Sequence, residues 1–390
     1  MSRLRLLLTT LATLVAVFLV TSAASALPRF GEREGLPCIS CHINPSGGGM
    51  RNRFGRYDYA PTKLPMFTIP NTAPLDVDIG DTLAFGADSR TAYLDIRPPA
   101  GTDTRTIFQM QADFYLAARL YKGLTLYYNQ GAWGSFEAMG IWQQDLGRPE
   151  FSYYVKVGRF MPTYGLRLEN HNVYTRQDIG FGPRDRDQGA ELGVYLGPVL
   201  LQASVLNGNP GEPQLDDNHE KALIGRAEIR ERFGPVHLSA GGSIFSNEAG
   251  VTTSTGGVQV DGRTQMLRWG PHWGAALGRF AYLGEAHVVK NEPFPGNTQG
   301  QRVHSFQSYQ ELDVLLIKGL EMNLTYEFKD PDLDRRNGTL SRVGAGFEFY
   351  PLPYVELKTL YRKTFAYQSG PAAESLNGLS EIIGMVHLYF

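Results

Sequence analysis

From about residue 80 to the C-terminus, apolar and polar side chains alternate with a period of two. In the stretch 320–329, Leu320, Met322, Leu324, Tyr326 and Phe328 fall on one face. Glu321, Asn323, Thr325, Glu327 and Lys329 fall on the other. "IFQMQADFYLAARL" repeats this, with Phe108, Met110, Ala112, Phe114, Leu116 and Leu120 set against Gln109, Gln111, Asp113, Tyr115 and Arg119. Successive side chains of a strand point to opposite faces, so the alternation predicts strands with one apolar and one polar side. About sixteen such segments fit after Asp81. Tight turns are predicted near 121–123, 147–150, 197–198, 233–235, 278–280, 318–319 and 350–353. Longer loops are predicted near 98–103, 130–135, 161–186, 208–218, 247–261, 292–302, 331–337 and 365–378.

Short turns at one rim, long loops at the other and an even strand count describe a transmembrane antiparallel β-barrel of the outer-membrane type. The expected fold is therefore all-β and porin-like. The chain ends on "IIGMVHLYF", where Ile382, Val386, Leu388 and Phe390 are assigned to lipid and Met385, His387 and Tyr389 to the interior. A terminal aromatic at this spacing resembles the assembly signal of bacterial outer-membrane barrels. The longest loop follows the fifth strand, where porins resemble one another in folding a loop inward. By parity the lumen carries Arg226, Glu228, Arg230, Glu311, Asp313, Glu327, Lys329, Arg342, Glu348, Glu356, Lys358 and Arg362. Both signs alternate, which predicts a wetted wall of mixed charge with no plain ion preference.

The N-terminus predicts export. Arg3 and Arg5 precede an apolar run from Leu6 to Val20, and Ala24-Ser25-Ala26 supplies small residues for cleavage. No cysteine stands at that cut, so it is not a lipoprotein signal. Beyond it, no apolar run approaches the ~20 residues that a helical span needs. The net charge of −2 argues against a nucleic-acid partner, and 12% aromatics argue against disorder.

One stretch stands outside the barrel pattern. "LPCISCHINPSGGGMRNRFGR" (36–56) holds Cys38 and Cys41, the only two cysteines in 390 residues, with His42 next in line. C-x-x-C-H is the attachment pattern of c-type haem. Two thiols three apart each bond a vinyl group, and the following histidine ligates the iron. A thioredoxin-like pair would want a βαβ neighbourhood, a zinc site would want two further ligands, and a plain disulfide is the remaining rival. A segment of under forty residues is too short to wrap haem with a core of its own, so the lumen is its expected cover. Gly47, Gly48 and Gly49 either let backbone pass flat against the ring or act as a flexible tether. The sixth iron ligand is open among Met50, Met66, His171, His237, His387 or none.

The layout is 1–26 signal peptide, 27–65 haem-binding segment, 66–80 linker and 81–390 barrel. It resembles the fused monohaem c-type cytochrome–porins, which include outer-membrane iron oxidases. The residue-level resemblance covers "LPRF" (27–30), "CISCH" (38–42) and "FGR" (54–56), while "NPSGGG" departs from the iron-oxidising members. The resemblance implies one covalent haem c on Cys38 and Cys41 with His42 as axial ligand. It also implies electron transfer between an extracellular donor or acceptor, with Fe(II) as one donor, and periplasmic c-type cytochromes. The alternatives are a channel for small solutes with a haem-bearing plug, or the barrel of a larger porin–cytochrome complex. The loop "GEPQLDDNHE" (211–220) gathers Glu212, Asp216, Asp217, His219 and Glu220, either as a solvated acidic loop or as an attraction for hard cations.

Overall fold

The computed structural model describes residues 28–68, 77–132, 136–148, 151–168, 170–182, 185–210, 216, 219–255, 258–293, 302–335, 338–367 and 374–390. The predicted signal peptide lies outside these. Sixteen long strands follow one another: β1 Leu83–Arg97, β2 Thr104–Tyr121, β3 Leu124–Gly131, β4 Phe136–Arg148, β5 Phe151–Phe160, β6 Asp187–Leu196, β7 Val199–Leu206 and β8 Ala222–Phe233; then β9 Val236–Thr255, β10 Val258–Leu277, β11 Phe280–Pro293, β12 Val303–Ile317, β13 Leu320–Asp330, β14 Thr339–Phe349, β15 Val355–Tyr367 and β16 Ser380–Tyr389. Each pairs antiparallel with its sequence neighbours, and β16 pairs with β1, from Ser380↔Arg97 to Tyr389↔Asp88. The ring is closed, so no strand edge is left unpaired. A two-residue strand, Asp78–Ile79, adds to the start of β1.

The two faces fall as the alternation predicts. On β13, Leu324 and Tyr326 are 39% and 43% exposed, while Glu321, Asn323 and Glu327 are buried. On β16, Ile382, Val386 and Leu388 point out, and Met385, His387 and Tyr389 are buried. The predicted lumen charges Glu228, Asp313, Glu327, Arg342, Glu348, Glu356 and Arg362 are all buried inside. Exposed large apolar side chains recur on the outer face of nearly every strand, too extensive a surface to leave in water. With every backbone ladder closed, this is a transmembrane barrel of the bacterial outer membrane.

Two details differ from the alternation. Pairing of β9 with β10 continues to Thr255↔Val258, where a loop over 247–261 was expected. The β-branched runs "VTTST" and "VQV" suit strands, and only Gly256-Gly257 separate them. A bulge also interrupts β1 and β2, because Arg90 faces Gln111 and Thr91 faces Gln109. Met110 is the extra residue. It lines the lumen cavity instead of facing lipid.

Two segments occupy the lumen. The first is N-terminal: helix α1 (Pro28–Glu34), a 3₁₀ turn Cys38–Ser40, then a π-helical turn Phe54–Tyr59 running into α2 (Ala60–Thr62). Helix α1 packs on β9, β10 and β11. Met66 and Phe67 donate to the carbonyls of Tyr350 and Pro351 in a short turn. The described ends of the 66–80 linker are thus attached at the short-turn rim. The second segment is the loop 161–186, with a helical turn α3 (Tyr174–Gln177). It folds inward as expected. The Gly165 amide donates to Ser243 Oγ (3.0 Å), the Leu166 amide to Glu285 (2.9 Å) and the Tyr174 amide to Glu327 (2.8 Å).

Candidate functional site

The two cysteines sit on the 3₁₀ turn. The Cys41 amide donates to the Cys38 carbonyl (3.1 Å), and so does that of His42 (3.0 Å). Residues three apart eclipse in such a turn, which sets the thiols on one side. The chain then reverses. His42 bridges to Arg51, and the Ile43 amide donates to the Met50 carbonyl (3.1 Å).

The reversal runs through Gly47, Gly48 and Gly49, with φ of +88°, +75° and +62°. All three are left-handed, where a Cβ is disfavoured. A Cβ on Gly47 would stand 3.0 Å from Cys38 Sγ, and one on Gly49 would strike the Tyr127 hydroxyl. One on Gly55 would strike the Cys41 carbonyl oxygen. The glycine run is a packed turn that presses against the thiol. It is not a loose tether.

Cys38, Cys41 and His42 open on one cavity of about 1240 Å³. Its walls include Phe30, Tyr59 and Leu64 from the N-terminal segment, Leu166, Arg167 and His171 from the inward loop, and Arg226, Glu228 and Arg230 from the barrel. Cys41 is almost wholly buried, whereas Cys38 keeps a partly open face. Burial pushes the Cys41 thiol up to about 12 and raises that of Cys38 as well. The two thiols are not joined to each other. A redox-active dithiol needs an accessible thiolate of lowered pKa, and this pair has the opposite environment.

Ion pairs fix the N-terminal segment to the wall. Arg29 of α1 lies among Glu311 (3.6 Å), Asp313 (3.9 Å), Glu321 (3.3 Å) and Glu348. Arg33 pairs with Glu321. Glu32 accepts from Ser239 Oγ and forms an ion pair with Arg230, both at 2.7 Å. Further along, Lys156 donates to Ser46 (2.6 Å) and pairs with Glu191 (2.8 Å). Arg51 pairs with Asp88 (3.5 Å) and lies 4.2 Å from the Tyr389 ring centroid, and Arg56 pairs with Asp78 (2.7 Å). Sequence reasoning placed the wall charges and missed their partners. The signal was the i, i+4 spacing of Arg29 and Arg33, which puts both on one side of a helix.

The sixth-ligand candidates separate. Met50 is fully buried among Tyr115, Tyr127 and Ile43, and its amide donates to Tyr127 Oη at 3.1 Å. Met66 lies at the rim against Gly319. His237 Nδ1 donates to the Glu32 carbonyl (3.0 Å), and His387 Nδ1 contacts Glu356 (2.7 Å). His387 and His171 line the cavity together with His42. Of the acidic loop, Glu212 and Asp217 lie outside the described residues, and Asp216 pairs with Lys221. Among the described residues, no group of three or more His, Cys, Asp or Glu is arranged to hold a metal ion.

No family model matches the chain, and no curated protein does. Solved structures do. OmpT of Vibrio cholerae superposes with a TM-score of 0.56 at 10% identity, over 81% of this chain and 100% of that one. The chain has a porin-like outer-membrane fold. An anion-selective porin from Comamonas acidovorans matches with a TM-score of 0.50 at 12% identity, over 79% of this chain and 99% of that one. The outer-membrane channel DcaP of Acinetobacter baumannii matches with a TM-score of 0.50 at 11% identity, over 79% and 97%. At such identities the likeness concerns fold alone.

Proposed function

We propose that this porin-like barrel carries one c-type haem, bonded through Cys38 and Cys41 with His42 as axial ligand, and moves electrons through the outer membrane. The observation that carries this reading is the shared cavity: both thiols and the imidazole open on one space walled by the N-terminal segment, the inward loop and the strands. The residues fit the group. Apolar Phe30, Tyr59, Leu64 and Leu166 offer contact to a flat macrocycle, and the glycine turn brings backbone against the Cys38 thiol without a Cβ. Haem supplies one-electron exchange. The protein's part would be to hold it between the N-terminal segment, the inward loop and the barrel wall, and to orient it through His42. The partners in this reading are periplasmic c-type cytochromes on one side and an extracellular donor or acceptor, with Fe(II) as one donor, on the other.

A channel is the second reading, and the fold likenesses support it more directly than they support electron transfer. The Comamonas protein is described as an anion-selective porin and the Acinetobacter protein as a channel. Here the N-terminal segment would gate a solute path. Fold does not dictate function, so the site decides.

Protein made with the haem-maturation machinery should keep haem through denaturing electrophoresis, and the Cys38→Ala, Cys41→Ala double variant should lose it. Adding Fe(II) or a reduced periplasmic cytochrome should change the haem band. A wild-type band without haem stain, together with solute conductance in planar bilayers, would leave the channel as the reading.

A further inference from the structure

We propose that Arg167 is a carboxylate-binding residue of the lumen and that a haem propionate fills it, an inference that rests on the haem reading. Arg167 stands on the inward loop between Leu166 and Leu168, which are buried in a cluster with Val173, Leu283 and Tyr309. Glu285 holds the Leu166 amide at 2.9 Å, and the Leu168 amide donates to the Leu166 carbonyl (3.0 Å). With that short turn fixed, the side chain of Arg167 lies on the cavity wall. It rests on the glycine turn beside the thiol. A Cβ on Gly48 would stand 2.6 Å from Arg167 Nε, and one on Gly47 would be 3.5 Å from Arg167 Cδ and 3.0 Å from Cys38 Sγ.

Five other cavity arginines have carboxylates: Arg51 has Asp88 at 3.5 Å, Arg176 has Glu285 at 2.8 Å, Arg186 has Glu137 at 3.8 Å, Arg226 has Glu228 at 2.5 Å and Arg230 has Glu32 at 2.7 Å. Among the described residues Arg167 has none, and its Nη1 is buried without a hydrogen-bond partner. Arg167 is half-buried and faces the cavity, so an anion arriving there would meet both its charge and the unpartnered Nη1. The guanidinium fork matches a carboxylate. Haem tethered at Cys38 carries two such groups, and a small carboxylate solute in the lumen carries the same chemistry.

The test uses full-length protein with Arg167→Gln, which removes the charge, and Arg167→Lys, which keeps it. Heat-dependent gel mobility checks that each barrel is folded. A cation near the haem disfavours the oxidised iron, so Arg167→Gln should lower the midpoint potential and make it pH-dependent near neutrality, while Arg167→Lys restores most of the wild-type value. In a second arm, succinate is titrated against bilayer conductance of the haem-free Cys38→Ala, Cys41→Ala barrel with and without Arg167→Gln. Block that weakens by about tenfold or more on losing Arg167, with an unchanged potential in the haem-loaded protein, assigns the carboxylate to a solute and overturns the propionate assignment. No change in either arm removes the carboxylate site altogether. Failure of the haem reading shows separately, as absent covalent haem, and the succinate arm remains readable.

Discussion

The two segments inside the barrel are held in different ways. The loop 161–186 leaves β5 and returns to β6, so both of its ends are strands. Much of its anchoring is backbone amide to wall carboxylate or hydroxyl: Met161 to Glu137, Gly165 to Ser243, Leu166 to Glu285 and Tyr174 to Glu327. The N-terminal segment joins the barrel at one end only. It is held by side-chain charge, with Arg29, Glu32, Arg33, Arg51 and Arg56 each meeting an opposite charge. Tethering at both ends keeps a loop at high effective concentration beside its site. A segment tethered once needs stronger contacts to offset the entropy of ordering. The chemistry of the site lies on the segment that can in principle leave.

The largest expected effect follows from that asymmetry. Deleting residues 27–65 behind an intact signal should leave a barrel that assembles and shifts in gel mobility on heating. Its conductance should rise well above that of the full-length protein, and electron transfer should vanish. If truncated and full-length barrels conduct alike, the N-terminal segment does not obstruct the lumen, and the proposed electron conduit gives way to a channel with an appended cytochrome.

A smaller effect tests the contacts themselves. Arg29→Ala takes the cation from buried Asp313 and leaves Glu321 with Arg33 alone and Glu348 with Lys358 alone, and breaking such a site costs about 3–5 kcal/mol. The N-terminal segment should then spend time outside the lumen, read as trypsin cleavage near Arg51 and Arg53 in the folded barrel and as noisier conductance. Arg176→Ala breaks the comparable loop pair with Glu285, yet the loop should stay inside, because both ends still hold it. Equal release by the two variants would erase the distinction between the segments.

What was legible in the chain is what repeats locally. Period-two alternation located the strands, the turn residues located one rim, and Cys38, Cys41 and His42 stood out by spacing. The inward loop was legible as length at a known place in the strand order. The ion pairs were not. Arg29 and Glu348 are separated by 319 positions, and nothing near either marks the other. Met110 was misplaced because a bulge inserts one residue without altering composition. The role proposed for Arg167 was hidden for another reason: it rests on the lack of a carboxylate partner among the described residues, and only the assembled lumen reveals which arginines are already paired.

The smallest effects distinguish a packed turn from a tether within the N-terminal segment. Gly80 has φ of +59° and open space around a Cβ, so Gly80→Ala should cost only the left-handed strain, roughly 1–2 kcal/mol. Gly48 has φ of +75°, and its Cβ would meet the far end of the flexible Arg167 side chain. That end can move cheaply, so Gly48→Ala should cost about the same in urea titrations. It should nevertheless displace Arg167 and lower the haem potential in the same direction as Arg167→Gln, by less. Gly55 differs again. Its Cβ would meet the backbone of Cys41, which the 3₁₀ turn holds in place, so Gly55→Ala should cost more than either. A tether would absorb all three substitutions at strain cost or below. A packed turn orders them with Gly55 above Gly48 and Gly80, and moves the potential at Gly48 but not at Gly80.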